Sequence, residues 1–117
     1  MDKMISRKGS ADAGDALFSI MIPTWNNLPY LKLCIESIRS NSEFKHQVIV
    51  HVNEGSDGTL DWIEAQEDID YAHTETNAGV CYALNIARRF VSTEYIVYLN
   101  DDMYVCPGWD AELLKEI

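Results

Sequence analysis

From Leu17 onward the chain alternates two kinds of segment, and that alternation restricts the fold more than any other feature. Short apolar runs, "LFSIMI" (17–22), "HQVIVHV" (46–52), "YAHTE" (71–75) and "YIVYL" (95–99), have the length and β-branched or aromatic content of strands. Between them apolar residues recur at helical spacing: Leu31, Ile35 and Ile38, then "TLDWIEAQ" (59–66), then Val80, Ala83, Leu84, Ala87 and Val91. Pro23 is expected to halt the first strand. Asn26 or Asn27 suits a helix cap, with Pro29 in the first turn. After Pro107 and Gly108 a last helix is expected, with Trp109, Leu113, Leu114 and Ile117 on one stripe. Strand and helix repeated in this way imply right-handed crossovers and a mostly parallel α/β sheet with helices on both faces.

The 117 residues suffice for one domain, expected over residues 17–117, preceded by a flexible polar tail over 1–16. "MDKMISRKGSADAGDA" lacks the apolar centre of a signal peptide, and no run approaches the roughly 20 residues of a membrane span. A formal charge of −10 argues against a nucleic-acid backbone or an anionic membrane as the main partner. An anionic ligand would need a metal ion or backbone amides to be held. Cys34, Cys81 and Cys106 are odd in number and form no CxxC pair, so a reducing compartment and three small buried hydrophobes are expected.

Parallel strands all point one way, so the polar clusters that follow them gather on one edge of the sheet, where open α/β sheets bind ligands. These clusters are "PTWNN", "NEGSDGT", "TNAG" and "NDDM". In the second, Asn53 and Glu54 suit a polar ring edge and Gly55 a close approach; a plain tight turn capped by Asp57 or Thr59 fits equally. "TNAG" reads as a loop feeding a helix, and neither a GxGxxG fingerprint nor a P-loop occurs. In "NDDM", successive strand residues point apart, so Asn100 and Asp102 form the better cation pair, with a solvated capping turn as the alternative. Magnesium or manganese suits one or two carboxylates completed by water and phosphate oxygens. His46, His51 and His73 lack metal-ligand spacing and read as structural.

The words "SIMIPTWNN", "VIVHVNEGSDGT", "NAGVCYALNIA", "EYIVYLNDDM" and "PGWDAELL" occur in an order and at a spacing that resemble family 2 glycosyltransferases, over residues 18–117. That resemblance implies a GT-A, Rossmann-like fold, here cut short, and transfer of a sugar from a nucleotide-diphosphate sugar. It implies that Pro23, Thr24, Trp25 and Asn26 line the nucleotide pocket, with Glu54 on the base, and it extends that pocket to Asn77 and Gly79. Asp101 would face ribose or phosphate, and Asp102, with Asn100, would hold Mg2+ or Mn2+. Asn53 and Glu54 stand where the family usually has two aspartates, Leu84 where it has a basic residue, and Asn100 at the first DXD position.

The implied reaction inverts the anomeric centre. Its base is expected beyond Ile117, because the chain stops fifteen residues after Asp102. A donor-binding half of a larger enzyme is therefore expected, acting on a carbohydrate or lipid-linked acceptor of the cell envelope. The full-length protein would be cytoplasmic and peripheral at the inner face of the membrane. Surfaces left bare by the missing half favour self-association. The competing readings are an inactive nucleotide-binding module or fragment, a nucleotidyltransferase, and an α/β domain without a site. "PTWNN" lacks the glycine and basic residue the nucleotidyltransferase would need.

Overall fold

A computed structural model describes residues 4–7, as backbone only, and residues 15–117. The elements run β1 (Met4–Arg7), β2 (Phe18–Trp25), α1 (Leu28–Asn41), β3 (Gln47–Asn53), α2 (Thr59–Glu64), β4 (Ile69–Thr74), α3 (Val80–Ala87), β5 (Tyr95–Tyr98) and α4 (Trp109–Leu114). The sheet order is β1-β4-β3-β2-β5. β2 to β5 are parallel, as the alternation predicts, and β1 lies antiparallel on β4 with Met4 opposite Thr74.

Four boundaries differ from the sequence expectation, the first three for a tertiary reason. Met4–Arg7, placed within a loose tail by composition, pairs with the outer edge of β4, whose ladder groups need a partner. The rest of that tail, residues 1–3 and 8–14, lies outside the described residues. β2 runs on past Pro23 to Trp25. The Met21 carbonyl accepts from Leu99, so Met21 and, two residues on, Pro23 turn their backbone groups toward β5. β5 pairs only as far as Met21, so the ladder to β5 ends where proline has no amide to donate, while β2 continues on β3. β4 begins at Ile69 because the charged Asp70 is accommodated inside, taking a 2.9 Å hydrogen bond from Gln47 Nε2. α3 stops at Ala87 and a 3₁₀ turn over Arg88–Phe90 continues it, so Val91 lies beyond the helix.

Side chains alternate across the pleat, and the helices cover both faces. Ile20, Ile22, Val48, Val50 and Val52 pack under Leu31, Ile35 and Ile38 of α1 and Ile63 of α2. Met21 and Ile49 face the opposite way, under Ala87 and Leu84 of α3. Full burial of such a side chain is worth about 1.5–3 kcal/mol, and the thicker first face carries most of it. Cys34 is buried, but Cys81 and Cys106 are exposed, on α3 and in the loop before Pro107, contrary to their expected burial. α4 turns only its first two residues inward, and Leu113, Leu114 and Ile117 are exposed.

At the amino ends of the strands a buried carboxylate–imidazole hydrogen bond anchors α4. Asp110 Oδ2 accepts from His46 Nε2 at 2.8 Å, from the Phe44 amide at 2.8 Å and from the Glu43 amide at 2.9 Å. Oδ1 accepts from the Glu43 and Ala111 amides at 3.0 Å. His46 Nδ1 takes the Phe18 amide, so its proton sits on Nε2, and the ring stacks on Phe18 at 5.3 Å. Burial works to raise the Asp110 pKa, but the amides of Glu43 and Phe44 and the His46 contact outweigh it and hold the carboxyl below its usual range. Burial lowers the His46 pKa despite Asp110.

Candidate functional site: a cleft at the carboxyl ends of the strands

The four clusters do converge. A cavity of about 430 Å³ is lined by Pro23, Thr24 and Trp25 from β2, Asn53 from β3, Asn77, Gly79 and Val80 before and on α3, and Tyr98, Asn100, Asp101 and Asp102 at β5, with Asn27 at the start of α1. Of the residues expected there, eight line it; Asn26 and Glu54 do not. They attach to it through Trp25, whose indole Nε1 donates to Glu54 Oε2 at 3.0 Å, and Asn26 Nδ2 donates to the same oxygen at 3.1 Å. The Glu54 carboxylate is thus a brace behind an exposed indole.

The backbone at this corner is unusual and tightly held. Asn26 has φ 44° and Glu54 φ 60°, in the left-handed region that costs a non-glycine residue on the order of 1 kcal/mol. Glu54 is fixed by its amide to the Thr74 carbonyl at 2.8 Å and by its own carbonyl, which accepts from His73 Nε2 at 2.7 Å. Gly55 follows at φ 78°, where a Cβ would meet Val52 Cγ1 at 2.6 Å. Only glycine fits there. Asp57 then links both neighbouring helices: Oδ2 takes the Leu28 amide at 3.1 Å, and Oδ1 takes the Thr59 amide at 3.1 Å and the Thr59 hydroxyl at 2.6 Å. Asn27, the residue at the α1 cap position, makes no side-chain cap bond, so Asp57 supplies that acceptor from another loop.

The acidic pair sits on a turn and not in the strand, with the Met103 amide donating to the Asn100 carbonyl at 3.1 Å. The turn removes the opposed orientation a strand would impose. Asp101 Oδ2 accepts from the Thr24 hydroxyl at 2.7 Å. Asn100 Oδ1 accepts from the Tyr98 hydroxyl, which leaves one lone pair on that oxygen. Asp102 is exposed, and its carboxylate makes no hydrogen bond among the described residues. Beneath the turn, the Cys34 thiol donates weakly to the Asn100 carbonyl at 3.7 Å. Burial first, then the charges of Asp101 and Asp102, push that thiol up to about 12, so it stays protonated.

This donor set fits a hard divalent cation. An unpaired carboxylate, a second with one free oxygen and an amide oxygen offer oxygen ligands, whereas no group of three or more His, Cys, Asp or Glu among the described residues is placed to hold a metal ion by itself. Among the described residues no lysine or arginine lines the cavity, an acidic lining that favours cations over a bare anion. Among the described residues no helix is long and apolar enough to cross a membrane.

The family model described as glycosyl transferase family 2 matches residues 19–117. The chain belongs to that family. The Streptococcus pneumoniae glycosyltransferase GlyA is 29% identical over 108 residues, which is 88% of this chain and 15% of that one. The Bacillus subtilis glycosyltransferase TuaG, named for a proposed part in teichuronic acid biosynthesis, is 27% identical over 90 residues, covering 74% of this chain and 36% of its own. Residues 1–349 of S. aureus TarS in complex with UDP-GlcNAc superpose with a TM-score of 0.75 at 22% identity, over 85% of this chain and 30% of that one. The glycosyltransferase fold therefore holds, and the chain spans between about a seventh and just over a third of the length of these relatives.

Sequence reasoning missed three contributions to this family 2 cleft. Asn27 and Tyr98 were assigned only to a cap and a strand, and Val80 to a buried stripe, yet it is 52% exposed at the cavity wall. Tyr98 had a detectable signal, being the strand residue two before the first polar residue of "NDDM" by register alternation.

Proposed function

We propose that this chain is the donor-binding half of an enzyme that transfers a glycosyl group from a nucleoside-diphosphate sugar to a hydroxyl acceptor, with inversion. The observation that carries this reading is one cleft lined by both an exposed indole and two carboxylates, with no cationic side chain in the lining among the described residues. Trp25, braced by Glu54 and Asn26, offers a face on which a base stacks. Asn77 and Gly79 border the diphosphate path. Asp102, Asp101 and Asn100 would hold Mg2+ or Mn2+. Such an ion would supply Lewis-acid stabilisation of the diphosphate charge. The Thr24 hydroxyl holds one oxygen of Asp101, so that carboxylate is placed before binding.

The acceptor is a carbohydrate or lipid-linked polymer of the cell envelope, a reading supported by the name of TuaG. The base that deprotonates it belongs to a part of the enzyme outside this chain. The enzyme works in the cytoplasm, peripheral to the inner face of the membrane, and the exposed Ile96, Tyr98 and Leu113 favour self-association of this chain by itself. A nucleotide-binding module without turnover is the second reading, favoured by the partly buried Leu84 on α3 where a basic residue would assist the leaving group. Calorimetry with UDP, GDP, CDP and ADP, each with and without manganese, tests the proposal. One diphosphate bound only with metal is the expected result; no binding of any would overturn it. Acceptor-dependent nucleotide release by this chain alone would overturn its assignment as a donor half.

A further inference from the structure

We propose that His73 is a positioning residue for the donor cleft: through the Glu54 peptide it fixes the brace that holds the Trp25 indole. Ile69, Tyr71 and His73 follow one another on one face of β4, the face that packs with α1 and α2, and Val52 is the register neighbour of His73 on β3. A histidine is the odd member of that apolar stripe. It is 6% exposed, and its Nδ1 has no hydrogen-bond partner among the described residues. Its Nε2 lies 2.7 Å from the Glu54 carbonyl oxygen. A carbonyl only accepts, so the ring carries its proton on Nε2. The fold thus buries a polar ring, one nitrogen unsatisfied, and obtains from it one directed bond.

That bond falls where the backbone gives itself little support. The β3–β4 pairing runs out with the Glu54 amide on the Thr74 carbonyl at 2.8 Å, and Glu54 then turns at φ 60°, a region disfavoured for any residue with a side chain. Gly55 follows and tolerates either sign of φ, so the peptide between the two can rotate. The His73 ring holds that peptide by its carbonyl. From this corner Glu54 Oε2 reaches back to β2, taking Trp25 Nε1 at 3.0 Å and Asn26 Nδ2 at 3.1 Å. Those two bonds are exposed, where water competes for each partner, so they persist only as far as Glu54 is held in place. One line therefore joins three strands: His73 of β4, the Glu54 peptide after β3, and the indole at the end of β2. His73 is not among the residues lining the cavity; it acts on the site through Glu54.

The effect on binding rests on the nucleotide reading, whereas the geometry does not, and the test separates the two. Wild type, His73→Leu, His73→Asn and His73→Gln are compared by their indole N–H resonances without ligand and by calorimetry with manganese and UDP, the nucleotide bound by a TarS neighbour. Glutamine carries an amide N–H at the reach of Nε2, asparagine only at the reach of Nδ1, and leucine carries none. His73→Leu and His73→Asn should shift the Trp25 indole and weaken manganese–UDP binding about fivefold, the worth of one neutral hydrogen bond. The Trp109 indole, bonded to Ser42 at the other end of the sheet, should stay in place. His73→Gln should keep the wild-type Trp25 resonance and bind within about twofold of wild type. On a Glu54→Ala background, His73→Leu should change binding by less than about twofold, because the two act in series. A Trp25 indole unmoved by the leucine and asparagine variants, or a glutamine variant as weak as leucine, would overturn the proposal and leave His73 a packing residue. So would losses that multiply on Glu54→Ala, or a wild-type ring protonated on Nδ1 by nitrogen NMR. If His73→Leu does not fold, the glutamine and asparagine pair decides. Wild type that fails to bind UDP would sink the nucleotide reading, while the ligand-free indole resonances would still decide the role of His73.

Discussion

Asp110 and Asp102 stand at opposite ends of the same sheet and show what separates a structural carboxylate from an available one. Asp110 is fully buried, with both oxygens occupied by amides and the His46 ring. Asp102 is exposed, eight positions earlier, and has no partner among the described residues. The first spends its charge on holding α4 and the loop before β3 together; the second leaves its charge free at the mouth of a cavity. Asp101 lies between these extremes, with one oxygen held by Thr24 and one open. Occupancy of the lone pairs, and not the number of acidic residues nearby, separates a carboxylate open to a ligand from one that is not.

The largest expected effect is on the buried member. Asp110→Ala leaves the Glu43 and Phe44 amides without an acceptor and His46 without its partner, and should cost about 3 kcal/mol or more in urea denaturation. A loss under about 1 kcal/mol would mean that the pair is not the anchor described. Nucleotide affinity per folded molecule should be unchanged, because the cleft is built from other residues.

Next comes pH. His51 is fully buried, with neither ring nitrogen partnered among the described residues, and burial, aided by the nearby His73, lowers its pKa from 6.5 to about 4. The folded state binds this proton less readily than the unfolded chain, so the stability is complete above pH 6.5 and is lost as pH falls toward 4. His51 alone accounts for roughly 3 kcal/mol over that window. His46, also lowered, adds to the same fall. Denaturation curves between pH 7.5 and 4.5 should show the decline, and His51→Leu should remove most of it. A flat profile in wild type would contradict the buried neutral ring.

The smallest effect tests the corner shared by α1 and α2. Asp57→Ala removes the acceptor for the Leu28 and Thr59 amides and should cost about 1 kcal/mol, the usual worth of a helix cap. Burial works to raise the Asp57 pKa, but bonds from Thr59 and Leu28 outweigh it, so this contribution is present above about pH 3.8 and is lost as acid protonates the folded carboxylate. A thermal midpoint unmoved by Asp57→Ala would show that water caps α1 equally well.

Much of the fold and of the cleft is legible in the order of residues. Four apolar runs alternating with helical stripes imply a parallel sheet, and the rule that such sheets bind at their carboxyl ends gathers "PTWNN", "NEGSDGT", "TNAG" and "NDDM" into one place. What stays hidden depends on partners far along the chain. Whether Pro23 ends a strand depends on how far β5 reaches, and "MISR" becomes a strand only because the edge of β4 is open. Glu54 reads as a base ligand, and only the fold shows that Trp25 and Asn26 also hold one of its oxygens. Asn53 reads as a turn residue until Ala78, 25 positions on, is found at its Oδ1. Asp110, inside "PGWDAELL", does not stand out because an acidic residue in a first helical turn is ordinary.

The measurement closest to the central claim is manganese–UDP calorimetry on wild type and Asp102→Asn, with denaturation of the same samples. Asp102→Asn keeps the shape and removes the charge of a group that makes no hydrogen bond among the described residues. Folding stability should stay within about 0.5 kcal/mol of wild type, as for surface changes away from packed features. Metal-dependent nucleotide binding should fall at least about tenfold, a loss of about 1.4 kcal/mol or more. Undiminished binding, or a stability loss matching that of Asp110→Ala, would contradict the account.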